Sequence, residues 1–169
     1  DTFVDIYDSE LGKSFLYRVK KDGSLYVNEW YTDTFGSRYY YGEEGKAYDG
    51  VYEIAGKLCC FSGGRFCQDT KFVAADGTNY YCDSEGKATK LENNRWTNVN
   101  GNYFYVKDGS LLQDCVANIG NAYYGFSYDV IMYADEPFGI YDYEAHKYSY
   151  YRAKENGNLY VNAWCTDDG

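Results

Sequence analysis

The chain has 169 residues, of which 21% are aromatic, and its formal net charge is −10. This charge disfavours binding to nucleic acid or to an anionic membrane surface, because both require a basic face on the protein. No stretch of the sequence has the length and apolarity of a transmembrane segment, so membrane insertion is not expected. The acidic balance would instead favour a cationic ligand.

The sequence repeats itself over a long period. Residues 5–33 align without a gap with residues 139–167, and 16 of the 29 positions are identical. Residues 1–169 are therefore predicted to be a single repeat array fragment, with one full module and the start of the next. Such a repeat favours stacked units, in which each unit buries its apolar face against its neighbours.

A shorter period lies inside the long one. A polar turn ending in glycine recurs, at Gly23, Gly45, Gly64, Gly86, Gly109 and Gly157. Most of these glycines are separated by about 20 residues, the length of one short repeat. Asp-Gly and Asn-Gly between apolar runs predict tight turns, because glycine accepts a positive φ. The last separation equals about two units, so one turn is predicted to be replaced by a longer element.

Short aromatic segments flank these turns along the chain, each two or three residues after another glycine. They are residues 39–41, 58–61, 80–82, 103–105 and 123–124. Tyrosine and phenylalanine favour strands, and no apolar run has helical spacing. We therefore predict an all-β fold, a solenoid of stacked short β-hairpins of about 20–23 residues each.

Residues 126–147 interrupt the pattern and contain the only proline and the only histidine, Pro137 and His146. We predict a longer hairpin or loop inserted into one repeat, with residues 1–13 as its counterpart. The counterpart of His146 lies near Leu11-Gly12-Lys13 and is not a histidine, which argues against a catalytic base. No calcium-loop pattern is present, and the many carboxylates are typical of a solvated face. The chain is predicted not to be an enzyme, with no cofactor and no metal.

Three tryptophans share the context Asn-x-Trp and follow one another at nearly equal intervals, each about half of the long period. An exposed indole attracts a quaternary ammonium through its π face, and it also stacks on the apolar face of a sugar. Alternatively, each tryptophan fills the core. In the tyrosine pairs one ring is expected to face outward, because neighbouring strand residues face opposite ways. The ligand-binding candidates are Trp30, Tyr40, Trp96, Tyr103, Tyr124 and Trp164.

Cys60 and Cys67 flank a Gly63-Gly64 turn, which would place them opposite each other on paired strands. We predict a disulfide between these two residues. The other cysteines, Cys59, Cys82, Cys115 and Cys165, are interpreted as small buried apolar residues. A zinc site is the alternative, although the spacing lacks the two-residue separation of common zinc knuckles.

The unit Gly-x-x-Tyr-Tyr-x-x-x-x-Gly-Lys, preceded by a tryptophan, resembles the cell-wall-binding repeats of Gram-positive surface proteins. These include choline-binding modules, glucan-binding repeats and the repeats of large clostridial toxins. Residues 96–109 match best, and residues 30–45 and 77–87 match less completely. The resemblance implies β-hairpins stacked into a solenoid. It also implies an array in which short repeats alternate with one longer repeat.

The resemblance implies a non-catalytic, secreted or wall-attached module that binds a carbohydrate or cell-wall polymer through exposed aromatics. Further repeats of the same chain would be its other partners. A structural spacer or stalk is one alternative, and burial of all the tryptophans and paired tyrosines would favour it. A toxin-type array that binds a host glycan is the other. A pocket formed by residues 126–147 over Tyr124 or Trp164 would favour that array.

Overall fold

The computed structural model describes residues 2–162 and shows an all-β chain in this range. Its strands are β1 (Thr2–Asp8), β2 (Lys13–Val19), β3 (Glu29–Thr32), β4 (Arg38–Tyr41), β5 (Gly50–Ile54), β6 (Lys57–Ser62), β7 (Arg65–Phe66), β8 (Thr70–Val73), β9 (Asn79–Cys82), β10 (Ala88–Leu91), β11 (Trp96–Val99), β12 (Asn102–Lys107), β13 (Ser110–Leu111), β14 (Cys115–Ile119), β15 (Ala122–Phe126), β16 (Pro137–Asp142) and β17 (Lys147–Arg152). Among the described residues there is no helix, and so none that is long and apolar enough to cross a bilayer.

Within the described residues, each strand forms ladders only with strands next to it along the chain, and isolated bridges join successive hairpins. The strands of residues 2–162 form antiparallel hairpins in seven small sheets, four with two strands and three with three strands. Local pairing of this kind needs short turns, and the aromatic-rich segments supply the strands β4, β6, β9, β12 and β15. The predicted all-β hairpin fold is therefore confirmed. Contacts divide the chain into two compact units, Asp1–Thr89 and Lys90–Gly169.

The glycine turns lie where the sequence predicts them. All six predicted glycines have φ between 71° and 87°, in the left-handed region that favours glycine. In one of them the Gly86 N–H donates to the Asp83 carbonyl at 2.8 Å, and the Asp83 N–H donates to the Lys87 carbonyl at 3.1 Å. A turn of this kind reverses the chain after a hairpin and returns it alongside the hairpin just formed.

A turn with the same hydrogen bonds occurs without glycine inside the long gap. The Val130 N–H donates to the Ser127 carbonyl at 3.0 Å, and the Ser127 N–H donates to the Ile131 carbonyl at 2.9 Å. Val130 takes the glycine position with φ of 64°, which is costly for a β-branched residue. Its side chain is completely buried, and that burial offsets the backbone strain.

The longer element of the repeat lies after this turn. It is the β16–β17 hairpin from Pro137 to Arg152, whereas the sequence places it within residues 126–147. Its counterpart in the first unit is the β1–β2 hairpin. In that hairpin Phe3 pairs with Arg18. In the long repeat Phe3 corresponds to Pro137 and Arg18 corresponds to Arg152, and Pro137 and Arg152 also pair with each other. The long hairpin is thus a regular member of the repeat.

Each unit has an aromatic core of its own. Tyr41 and Phe61 are completely buried in the first unit, and Phe104 and Phe126 are completely buried in the second. These four rings are the largest completely buried side chains of the described residues, so ring packing supplies much of the apolar burial. The rings of one hairpin contact those of the next within a unit, as expected for stacked repeats.

Candidate binding site

An aromatic groove of about 720 Å³ lies in the second unit, where four structural segments meet, the last of them the turn at residues 155–156. Trp96 and Tyr103 come from the β11–β12 hairpin, and Tyr124 comes from β15. Ile131 and Met132 come from the segment that follows the valine turn. The groove is therefore built from neighbouring repeats, and no single hairpin forms it alone.

Trp96 forms one wall of this groove and is held by three other rings. Its centroid is 5.1 Å from that of Tyr105, its partner across the β11–β12 ladder. Phe126 stacks on it at 5.9 Å with an interplanar angle of 19°. Tyr124 contacts it at 4.8 Å and 64°. The indole is half-buried, so it is fixed in place while part of its surface faces the groove.

Met132 lies in the groove because the backbone holds its segment against β12. The Met132 N–H donates to the Tyr103 carbonyl at 2.9 Å. Gly157 leaves space for the Met132 side chain, since a Cβ at Gly157 would overlap the methionine Cε and Sδ. The thioether is a soft, polarisable group that suits contact with aromatic rings and with alkyl groups of a ligand.

The charges at the groove are all negative among its described lining residues. Glu136 and Glu155 are exposed there, and no lysine or arginine of the described chain lines it. Asn102 and Asn156 add amide groups for hydrogen bonds. Two aromatic faces, a thioether and two carboxylates together fit a ligand group that is both positively charged and alkylated.

The structure brings together three of the six predicted ligand-binding residues. Trp96, Tyr103 and Tyr124 all line the groove. Tyr103 is 45% exposed, and its neighbour Phe104 is completely buried, so this pair alternates as the sequence predicts. The predicted Trp164 lies outside the described residues.

The other two candidates contact each other in the first unit. Trp30 and Tyr40 have centroids 5.2 Å apart, and Phe66 lies 5.0 Å from the indole. The Arg38 guanidinium lies 4.5 Å from the centre of the Trp30 ring. A cation of the protein itself therefore already occupies the position over the indole that a cationic ligand would take.

Arg18 is a second example of a cation held by the protein's own rings. It is 6% exposed, and its guanidinium carbon lies 4.4 Å from the Phe3 ring centre and 3.5 Å from that of Tyr31. Its Nε has no hydrogen-bond partner among residues 2–162, and neither does the buried Tyr41 hydroxyl. Burial raises the pKa of Tyr41, and the nearby Arg18 charge partly opposes this.

A further groove in the first unit, of about 590 Å³, has mixed charge. Tyr48 and Tyr52 stack there with centroids 3.8 Å apart. Lys46 pairs with Glu44 at 2.6 Å, and Lys13 also lines the groove. Four carboxylates, of Asp5, Glu43, Glu44 and Asp49, also line it, so its net charge equals that of the groove beside Trp96. The two grooves differ because this one already holds two lysine cations of the protein and has no tryptophan among its described lining residues.

Sequence reasoning missed Met132, Glu136 and Glu155 as groove residues. Met132 and Glu136 belong to no motif, and the sequence singles out residues 126–147 only as an interruption of the repeat. Glu155 belongs to the polar turn that ends at Gly157, which was interpreted only as a turn. In the structure, Met132 follows Val130 by the same interval as Leu25 follows Gly23 and Leu159 follows Gly157, and all three bridge to the preceding hairpin. Because the Val130 turn contains no glycine, the sequence pattern does not mark this position.

Cys60 and Cys67 lie opposite each other, as the glycine turn predicts. The Cys67 N–H donates to the Cys60 carbonyl at 2.9 Å. Both thiols are free in the structure, so the predicted Cys60–Cys67 disulfide is not formed in it. The thiol of Cys82 lies beside both of them in one buried cluster, and its presence there was not predicted.

Neither a protein-family model nor a curated protein matches the sequence. Solved structures similar to the chain include three from Streptococcus pneumoniae. The modular autolysin LytC is 20% identical with a TM-score of 0.41, over 93% of this chain and 33% of its own. Choline-binding protein F is 19% identical with a TM-score of 0.46, over 97% and 54%. The choline-binding domain of CbpL is 22% identical with a TM-score of 0.43, over 88% and 74%.

The chain therefore spans about a third of the autolysin and about half of choline-binding protein F. Choline-binding proteins, whose repeats the sequence motif resembles, are among the solved structures to which the chain is similar.

Proposed function

We propose that the chain is a non-catalytic binding module for a polymer of the bacterial cell wall. The groove beside Trp96 takes a cationic, alkylated substituent of that polymer. The observation that carries this proposal is that Trp96, Tyr124 and Met132 line one groove, with the two rings at 64° to each other and two exposed carboxylates in the same lining. No cationic side chain of the described residues lines the groove.

The physical basis is the attraction of a desolvated cation to ring faces, which contributes up to about 2 kcal/mol per contact. An ammonium in the groove faces two rings and is flanked by Glu136 and Glu155. The net charge of −10 adds a long-range attraction that speeds encounter. A neutral sugar would gain ring stacking and hydroxyl hydrogen bonds from the same groove, but no charge attraction to either carboxylate, and a glutamine amide oxygen accepts the same hydrogen bonds.

One groove of this kind binds weakly, and a repeat array compensates by presenting several. We propose that the hairpins continue as a solenoid with further repeats of the same chain, in a secreted or wall-attached protein. A structural spacer is less well supported, because the Trp96 ring is half-buried beside an open groove and Tyr103 is 45% exposed.

A toxin-type array that binds a host glycan is the second candidate. The observation that favours it is that Ile131, Met132, Ala134 and Glu136 line the groove with Tyr124. All four belong to residues 126–147, the segment that this alternative predicts to form a pocket. Host glycans therefore have to be part of the test.

The proposed function predicts that Trp96→Ala lowers the affinity for choline at least tenfold, because one wall of the cage is lost. The affinity is measured by NMR titration of the full chain with choline chloride. The same proteins are applied to a glycan array that carries cell-wall fractions, neutral glucans and host glycans. Trp30→Ala is the matched control in the same Asn-x-Trp context, and it is expected to keep choline binding.

A charge variant separates the two ligand classes. Glu136→Gln with Glu155→Gln is expected to weaken choline binding by about three- to tenfold, because exposed carboxylates contribute modestly, and to leave neutral glucan binding unchanged. Glu10→Gln with Glu53→Gln, at two exposed positions that do not line the groove, is the control for the same change in net charge. Failure of choline to bind the unmodified chain rejects the cationic ligand, and array binding to host glycans alone supports the second candidate.

A further inference from the structure

Three cysteine side chains form a buried row in the first unit. Cys60 and Cys82 are completely buried, and Cys67 is 8% exposed. The Cys82 thiol makes hydrogen bonds with the thiols of both Cys60 and Cys67, so it lies between them. Apolar side chains surround the row, including Val51, Leu58, Phe72 and Tyr80.

The row joins two different hairpins. Cys60 and Cys67 belong to the β5–β7 sheet region, whereas Cys82 ends β9 and pairs with Thr70 of β8. A bond between Cys60 and Cys67 would only link strands that already pair. A bond from Cys82 to either of the other two would instead tie one hairpin to the next.

We propose that these cysteines form a redox site in which Cys82 is the shared member of a single disulfide, with either Cys60 or Cys67 as its partner. The oxidant is a low-molecular-mass disulfide. Two thiols each lose a proton and one electron and form the S–S bond, and the oxidant accepts both electrons and protons to become two thiols. The remaining cysteine keeps its thiol and can exchange the bond along the row.

Metal binding is a less well supported function for the same three cysteines. Within the described residues no group of three or more His, Cys, Asp and Glu side chains is arranged to hold a metal ion. The Cys67 and Cys82 thiols also stay protonated in the folded chain. Hydrogen bonding with the Cys60 thiol and burial raise the pKa of Cys82 to about 12. Hydrogen bonding with the Cys82 thiol and burial likewise raise the pKa of Cys67.

Protonated and buried thiols react slowly, because the thiolate is the nucleophile. Oxidation of the row therefore takes place while the chain folds, or during local opening of the β8–β9 hairpin, before the thiols are shielded. Once formed, the disulfide holds two neighbouring hairpins together and lowers the rate of that opening.

The test is refolding of the full chain with a mixture of reduced and oxidised glutathione, followed by alkylation of free thiols and trypsin digestion. Trypsin places these cysteines on the separate peptides 58–65, 66–71 and 72–87. We expect a mass loss of two hydrogens and a cross-linked product that contains peptide 72–87. Because Cys59 shares a peptide with Cys60, a Cys59→Ser variant identifies the partner.

Amide exchange gives a second readout, and we expect exchange in β6 and β9 to slow by about tenfold in the oxidised chain. Cys82→Ala should abolish both the cross-link and this protection, whereas Cys115→Ser in the second unit should change neither. A bond between peptides 58–65 and 66–71 alone, or complete alkylation after refolding, overturns the proposal. Peptide mapping of the unmodified chain decides this even where a variant fails to fold.

Discussion

Gly125→Ala is expected to lower the free energy of unfolding of the second unit by about 3 kcal/mol, at the upper end of overpacking costs. A Cβ at this position would overlap the Phe138 Cζ. The Phe138 ring is buried and stacks between Tyr133 at 4.1 Å and Tyr151 at 5.4 Å, so it has no free space to move into. Urea denaturation measures the loss, and amide exchange in β15 and β16 locates it.

A double-mutant cycle provides the control for this clash. Phe138→Ala removes the ring that the new methyl group would meet. In that background Gly125→Ala is expected to cost less than about 0.5 kcal/mol, since glycine at 125 has no positive φ to preserve. An equal cost in both backgrounds would show that the backbone at Gly125, and not its contact with Phe138, requires glycine.

Local backbone chemistry explains why the turns could be predicted and why one was missed. A glycine turn such as Gly86 is recognisable because the residue type itself reports the positive φ. Val130 adopts the same conformation against its own preference, and only its complete burial explains how this is tolerated. Burial depends on residues far along the chain, so no local pattern indicates this turn.

The binding groove could be predicted only in part, because it also depends on contacts between residues that are far apart along the chain. Trp30 and Trp96 share the Asn-x-Trp context, but Arg38 and Phe66 cover the first ring whereas Tyr124 and an open groove border the second. These neighbours come from the following strands and hairpins. The sequence therefore identifies the aromatic candidates, and the packing of successive hairpins determines which of them a ligand can reach.

Arg18→Ala is expected to destabilise the first unit by about 3 kcal/mol. The substitution removes two cation–π contacts, to Phe3 and Tyr31, and leaves a cavity between their rings. Arg18→Met fills much of that space and also removes the unpartnered Nε, so it is expected to cost only about 1 kcal/mol. Arg18→Glu should cost more than either, because it buries a carboxylate against ring faces that repel it. Thermal and urea denaturation rank the three variants.

Arg152→Ala is the matched control, because this residue is the counterpart of Arg18 in the second unit. Its side chain is 27% exposed and lies 3.9 Å from Asp135, and Pro137 stands where Phe3 does in the first unit. The exposed ion pair contributes little, so a cost below about 1 kcal/mol is expected. If Arg18→Ala cost no more than Arg152→Ala, the rings around Arg18 would not stabilise its charge. In that case the contact of the Arg38 guanidinium with the Trp30 ring would also be too weak to keep a cationic ligand away from that indole. Trp30→Ala would then have to be tested as a second binding variant beside Trp96→Ala.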